Sequence, residues 1–256
     1  MGALVLKYRM EFTLLIVSAF ITSSISAVLG MGGGIILLGI MAIIIPEGFM
    51  VIALHGVIQL VSNITRTYVF RQHLVFDIIK RFFIGAAIGL LISAMVIITI
   101  IYTLQLESGN DLKVDFLKPL IGLFILWYLF LKGPKKEKNL SFVWVGGISG
   151  ISSVFIGATG PLIAPFFLSG NLTKENIIAS KAACQVISHL GKIPLFIILF
   201  NVNYIAEMST LLPLVISVFI GTNVGKQVLG FIPENIFRML FKSALFLIAL
   251  KLIIYS

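Results

Sequence analysis

The sequence predicts an all-α polytopic membrane protein, with about eight transmembrane elements arranged as two homologous halves. Three observations predict it. Hydrophobic residues make up 59% of the 256-residue chain and charged residues only 11%, where a soluble domain carries about 25% charged residues. Mean hydropathy is +1.12, and apolar runs of membrane length recur from end to end. The offset that lays Ile25 on Ile151 also matches later segments of the two halves without a gap.

The apolar runs fall at 12–45, 48–65, 82–104, 117–131, 141–169, 177–200, 208–230 and 236–254. The run after Glu11 is too long for a signal peptide and reads as a retained span. The first and fifth runs exceed one span of about 20 residues. Each is interrupted, by "GMGGG" at 30–34 and by "GATGP" at 157–161. Either can cross fully or re-enter. The expected organisation is a first repeat at 1–131, a basic cytoplasmic linker at 132–140 and a second repeat at 141–256.

Charge sets the orientation. Arg66, Arg71, Lys80 and Arg81 oppose Asp77 in the 66–81 connection, and Lys132, Lys135, Lys136 and Lys138 oppose Glu137. Both connections read as cytoplasmic, because short cytoplasmic loops retain Lys and Arg. The acidic 105–116 stretch reads as external. Lys7 and Arg9 place the N-terminus inside, and eight crossings return the C-terminus inside. The expected location is the plasma or inner membrane, multi-pass. The net charge of +9 follows from this topology and implies the lipid bilayer as partner, with no nucleic acid. The lone Cys184 cannot form a disulfide within the chain and reads as a small buried hydrophobe.

Under the constant offset, "ISAVLGMGGG" from Ile25 lies over "ISSVFIGATG" from Ile151. "ALHGVIQLVSNITRTYVF" from Ala53 lies over "ASKAACQVISHLGKIPLF" from Ala179. Gln59 meets Gln185, Ser62 meets Ser188, His55 meets Lys181, Asn63 meets His189 and Arg66 meets Lys192. Repeated halves around a midplane site are common in secondary transporters.

Residues three or four apart share a helix face. His55, Gln59, Asn63 and Arg66 therefore form one polar stripe. Lys181, Gln185, His189 and Lys192 form its counterpart. Ionisable groups in lipid face a bundle interior or a watery path. These stripes offer cations and neutral donors but no carboxylate, which suits an oxyanion better than a metal. Blander readings stand beside this one. Arg66 and Lys192 can be interfacial residues at helix ends, Lys181 can snorkel outward, and His55 and His189 can be packing residues.

Gly30, Gly32, Gly33 and Gly34 permit a turn inside the bilayer, as do Gly157, Thr159 and Gly160. Non-helical backbone there needs polar partners. A helix restarting after each break directs its positive end at the break, which is an anion-binding geometry. Pro161 suits the first turn of such a helix. "GAAIG" at 85–89 and "GTNVG" at 221–225 carry the spacing of close helix packing. Exposed faces of this type permit a homodimer. "GMGGG" is not a nucleotide loop, lacking both GxxxxGK[ST] and GxGxxG in a βαβ setting. No HExxH motif or Cys/His cluster is present. No catalytic residue, metal or organic cofactor is expected. Histidine titrates near neutrality, so His55 and His189 are candidates for proton coupling.

The "ISAVLGMGGG" segment, "GATGPLIAPFF", the K-x-x-x-Q helix from Lys181 to Gln185 and the closing "FRMLFKSALFLIALKLI" resemble the TauE/SafE family of membrane permeases. The resemblance implies transport of sulfur-containing anions or small organic acids. It maps the family's glycine-rich breaks to Gly30, Gly32, Gly33 and Gly34, and to Gly157, Thr159, Gly160 and Pro161. Its polar helix positions map to His55, Gln59 and Asn63, and to Lys181, Gln185 and His189. The first half departs from the family's pattern: no proline follows Gly34 before Pro46, and His55 stands where an Asn is often found. The expected function is a secondary transporter of small anions, most of all sulfur oxyanions or organosulfonates. The alternatives are a transporter or channel for another small solute or a divalent metal, and then an intramembrane enzyme.

Overall fold

The protein is all-α. The computed structural model describes residues 2–30, 32–45, 48–109, 123, 126, 130, 142–157, 159–168 and 172–254. Nine helices lie among the described residues. They are α1 (Gly2–Leu29), α2 (Gly33–Ile44), α3 (Gly48–Val69), α4 (Phe76–Leu104), α5 (Phe142–Phe155), α6 (Gly160–Phe167), α7 (Lys174–Leu199), α8 (Met208–Leu229) and α9 (Glu234–Ile254). A 3₁₀ turn at Arg71–His73 joins α3 to α4. Most of the expected span at 117–131, the linker at 132–140 and residues 110–116 of the acidic 105–116 connection lie outside the described residues.

Among the described residues five helices are long and apolar enough to cross a bilayer: Met10–Leu29, Phe49–Val69, Phe76–Leu104, Lys174–Leu199 and Met208–Leu229. The first apolar run thus holds a full-length helix and a second, short one. Twelve-residue α2 is about 18 Å long at 1.5 Å per residue, well under the roughly 30 Å hydrocarbon core. The fifth run likewise divides into α5 and the eight-residue α6. The sequence counts one element at each place because its apolar character continues through the break.

The helices sort their faces by solvent. On α4, the large apolar side chains of Ile84, Ile88, Leu91, Met95, Ile98 and Tyr102 stand outward at alternating spacings of three and four, forming a lipid-facing stripe. The opposite face buries Phe82, Gly85, Ala86, Gly89, Ser93 and Ile97. That face meets α5 so closely that a Cβ on Gly85 would lie 1.8 Å from the Val143 carbonyl oxygen. A similar contact joins α1 to α8, where a Cβ on Gly221 would lie 2.4 Å from the Phe20 oxygen. The "GAAIG" and "GTNVG" segments therefore do pack helices, as expected. Their small faces are buried within the chain rather than exposed, so they offer no surface for a homodimer.

Hydroxyls tie the same helices together. Ser23 Oγ lies 3.0 Å from Ser62 Oγ and 2.7 Å from Thr222 Oγ1, and donates to the Val218 oxygen at 2.9 Å. These contacts join α1, α3 and α8. Ser149 Oγ lies 3.1 Å from Ser188 Oγ, joining α5 to α7. Helix α7 starts from a capping box in which Thr173 and Asn176 satisfy each other's backbone donors. Helices α3 and α7 pack against each other centrally, with α2 and α6 beside them.

The connection expected at 66–81 is much shorter. Helix α3 continues to Val69 and α4 begins at Phe76. Arg66 is therefore inside a helix, and only 2% exposed. Lys80 and Arg81 lie in the first turns of α4, where Arg81 pairs with Asp77 at 3.0 Å.

Candidate functional site

The two breaks differ in how they turn the chain. After α1, Gly30 and Gly32 adopt φ of +71° and +95°. That left-handed region is costly for residues with a Cβ. Gly33 then opens α2 so close to α1 that an added Cβ would lie 1.7 Å from the Thr22 oxygen. After α5, Gly157 takes a positive φ, +80°. Thr159 stands at the N-cap position of α6 without a side-chain cap, and Pro161 occupies the first turn, where a missing N–H costs nothing. Both short helices begin at their breaks. Their first N–H groups have no partners within the helix and carry the positive end of its dipole.

The stripes on α3 and α7 meet these helix starts. A Cβ at Gly34 would lie 3.0 Å from Gln59 Oε1. A Cβ at Gly160 would lie 3.0 Å from Gln185 Nε2 and 3.7 Å from Lys181 Nζ. His55 Nε2 donates to the Gly34 oxygen at 2.7 Å. Lys181 Nζ donates to the Gly30 oxygen and, at 3.4 Å, to Gln185 Oε1. Arg66 donates to Asn63 Oδ1 at 2.5 Å and to the Ser26 oxygen at 3.2 Å. The rings of His55 and His189 meet edge-on with centroids 6.4 Å apart.

A cavity of about 20 Å³ lies where these elements converge. It is a small space. Of the sequence-predicted residues, Gly32, Gly34, His55, Gln59, Gly160, Lys181, Gln185 and His189 line it. Gly30, Gly33, Asn63, Gly157 and Thr159 do not. Gly30 presents its carbonyl to Lys181, and Asn63 holds Arg66. Gly33 packs on Thr22, and Gly157 on Ile52. Thr159 is buried, and its hydroxyl has no partner.

The blander readings of the cations do not hold. Lys181 and Lys192 are 0% exposed and Arg66 is 2% exposed. None of them snorkels or sits at an interface. Among the described residues no Asp or Glu is buried, so these charges have no buried carboxylate beside them there. Both ring nitrogens of His189, Nδ1 of His55 and Nδ2 of Asn63 are buried without a hydrogen-bond partner. A satisfied packing histidine has partners, and His189 does not fit that description. Cys184 is buried and free, as its apolar surroundings suggested.

Arg66, Ser26, Ile35 and Pro161 also line the cavity. In the sequence Arg66 reads as part of the charged 66–81 connection. Its place seven residues after Gln59 on one stripe is the signal that points inward. Ser26 belongs to a serine-rich run that reads as helix glue, and no local signal separates it from Ser23.

Among described residues, no group of three His, Cys, Asp or Glu is placed to hold a metal ion. A family model described as Sulfite exporter TauE/SafE matches residues 15–252. The chain belongs to the TauE/SafE family. No curated protein and no solved structure matches it. The TauE/SafE match spans both breaks, both stripes and every residue that lines the cavity. It assigns the chain to a family of membrane transporters, in keeping with its five candidate spans.

Proposed function

We propose that this TauE/SafE chain is a secondary transporter of small anions, with sulfur-containing oxyanions or organosulfonates as its substrate class. One observation carries the reading. Arg66 and Lys181 converge with two helix N-termini on a cavity, and no buried carboxylate neutralises them among the described residues. Unpaired charges in a membrane interior are costly. An anion supplies the missing countercharge, and the preorganised donors cost little to arrange around it. The same two cations repel a divalent metal.

Substrate oxygens would be held by the amides at Gly34 and Gly160, by Gln59 and Gln185, and by Lys181. His189 supplies an adjacent ring with both nitrogens unengaged. The remaining break residues, Gly30, Gly32, Gly33, Gly157 and Thr159, shape the turns, and Asn63 orients Arg66. Loading and release would follow alternating access, with the cavity open toward one side of the membrane at a time.

Two repeats at 1–131 and 141–256, joined by the basic linker at 132–140, explain the matched geometry around the cavity. Gly34 faces Gln59 as Gly160 faces Gln185. Ser23 bonds Ser62 as Ser149 bonds Ser188. Each pair relates to its counterpart by the same sequence offset. In this reading the first helix of each repeat packs on the helix that follows the stripe helix of the other, through α1 with α8 and α5 with α4. With the basic segments cytoplasmic, both termini face the cytoplasm.

The test is uptake of ³⁵S-labelled sulfite into proteoliposomes, with sulfate, thiosulfate, sulfoacetate and acetate as competitors. Saturable uptake, accelerated by unlabelled sulfite inside, is the expected result and separates a carrier from a channel. Uptake equal to protein-free vesicles for every anion would contradict the reading.

A further inference from the structure

Lys192 is the buried cation that does not line the cavity. Its ammonium lies 3.3 Å from the Ile52 oxygen, 3.4 Å from the Gly157 oxygen and 3.5 Å from the Ser153 oxygen. An ammonium has three N–H donors and no acceptor, while a backbone carbonyl only accepts. Three donors meet three acceptors, so the cage matches a charged amine. A neutral amine would turn its lone pair toward an oxygen. The acceptors come from α3, from the C-terminal turn of α5 and from the positive-φ turn at Gly157. A helix C-terminus and an unwound carbonyl are the groups with which broken-helix transporters coordinate a coupling cation. Space for the side chain is built into α3. A Cβ at Gly56 would lie 2.5 Å from Lys192 Cε.

We propose that the carbonyls of Ile52, Ser153 and Gly157 form a monovalent-cation site that the chain fills with its own ammonium. The Lys192 side chain is a tethered cation. It holds the second break in shape permanently, where a coupled transporter recruits an ion each cycle. The consequence for transport rests on the anion-carrier reading above: anion uptake takes no sodium. Lys192 is a positioning residue, acting on the break through its carbonyls rather than on the substrate.

The experiment compares purified wild type with Lys192→Ala and Lys192→Met, melted in ammonium, sodium or choline chloride at equal ionic strength. No sulfur anion is present, so the result does not depend on what the protein carries. Alanine leaves room in the cage, whereas methionine fills it. Ammonium or sodium is expected to raise the melting temperature of Lys192→Ala over choline by about 2–4 °C. Wild type and Lys192→Met should melt alike in all three salts. No cation-specific rise in Lys192→Ala, or the same rise in all three proteins, overturns the site. If Lys192→Ala does not fold, sulfite uptake by wild type decides. Equal uptake with sodium and with choline supports the tethered cation, and uptake that collapses in choline overturns it. Absence of any uptake would count against the transport reading, and melts of Lys192→Gly, which also leaves the cage open, would then decide the site by the same cation-specific rise.

Discussion

The two breaks share a scaffold but not a charge pattern. Each places a glycine 3.0 Å from a glutamine amide, measured to the Cβ it lacks. Each has a serine pair locking its first long helix to its stripe helix, at 3.0 and 3.1 Å. The polar positions then diverge. The first stripe carries His55, Asn63 and Arg66, and the second carries Lys181, His189 and Lys192. Lys181 reaches from the second stripe to the carbonyl of the first break. Lys192 serves the second break, and Arg66 the end of α1. The glycine–glutamine and serine–serine contacts are thus matched across the cavity, while the backbone turns and the ionisable side chains differ. The cavity lining thus carries His55 and Arg66 from one stripe and Lys181 and His189 from the other.

The largest test of this comparison is steric. Gly33→Ala puts a methyl 1.7 Å from the Thr22 oxygen. A displacement of that size exceeds the usual overpacking cost of about 1–3 kcal/mol, so the variant should not yield a monodisperse protein on size exclusion. Its counterpart by sequence offset is Thr159, whose hydroxyl has no partner. Thr159→Ala should therefore purify normally. Equal behaviour of the two variants would mean that the breaks are not built differently.

Next comes charge. Lys181→Met should weaken sulfite binding about 10–100-fold, matching about 1.5–3 kcal/mol for a charged hydrogen bond. Its offset partner, His55→Gln, should weaken binding less than Lys181→Met, because His55 is already engaged with the Gly34 oxygen. Isothermal titration of both variants measures the difference. Without anion, Lys181→Met should melt no lower than wild type, since it removes a buried charge that lacks a countercharge.

Smaller effects should be symmetric. Gly34→Ala and Gly160→Ala each push a methyl to 3.0 Å from a glutamine amide. Both should fold, and each should weaken binding by roughly 1 kcal/mol through crowding. A much larger loss on one side would show that the anion sits against that break. The serine locks come last. Ser149→Ala removes one buried hydrogen bond, worth about 1 kcal/mol. Ser62→Ala should cost less, because Ser23 keeps Thr222 and the Val218 oxygen. Thermal melts compare the two.

These residues also show what the sequence discloses. The glycine breaks and the polar stripes are legible because each is local: one is a cluster of small residues, the other a spacing of three and four. Both stripes do reach one cavity. The burial of Arg66 is not legible, because a charged residue near a charge-rich stretch reads as a loop. Only the continuation of α3 to Val69 shows otherwise. The half-helices are hidden because apolar residues run through both breaks. The packing of α1 on α8 and of α4 on α5 depends on contacts far apart in sequence, for which small-residue spacing names a face but no partner.

The most direct measurement is thermal stabilisation of the purified protein by anions. Sulfite, thiosulfate, sulfate, sulfoacetate, acetate and chloride are compared at matched ionic strength, with Lys181→Met and Gln185→Ala beside wild type. The account predicts a selective rise with a sulfur oxyanion or sulfonate in wild type, lost in both variants. Equal rises in all three proteins, or none with any anion, would contradict an anion site at this cavity.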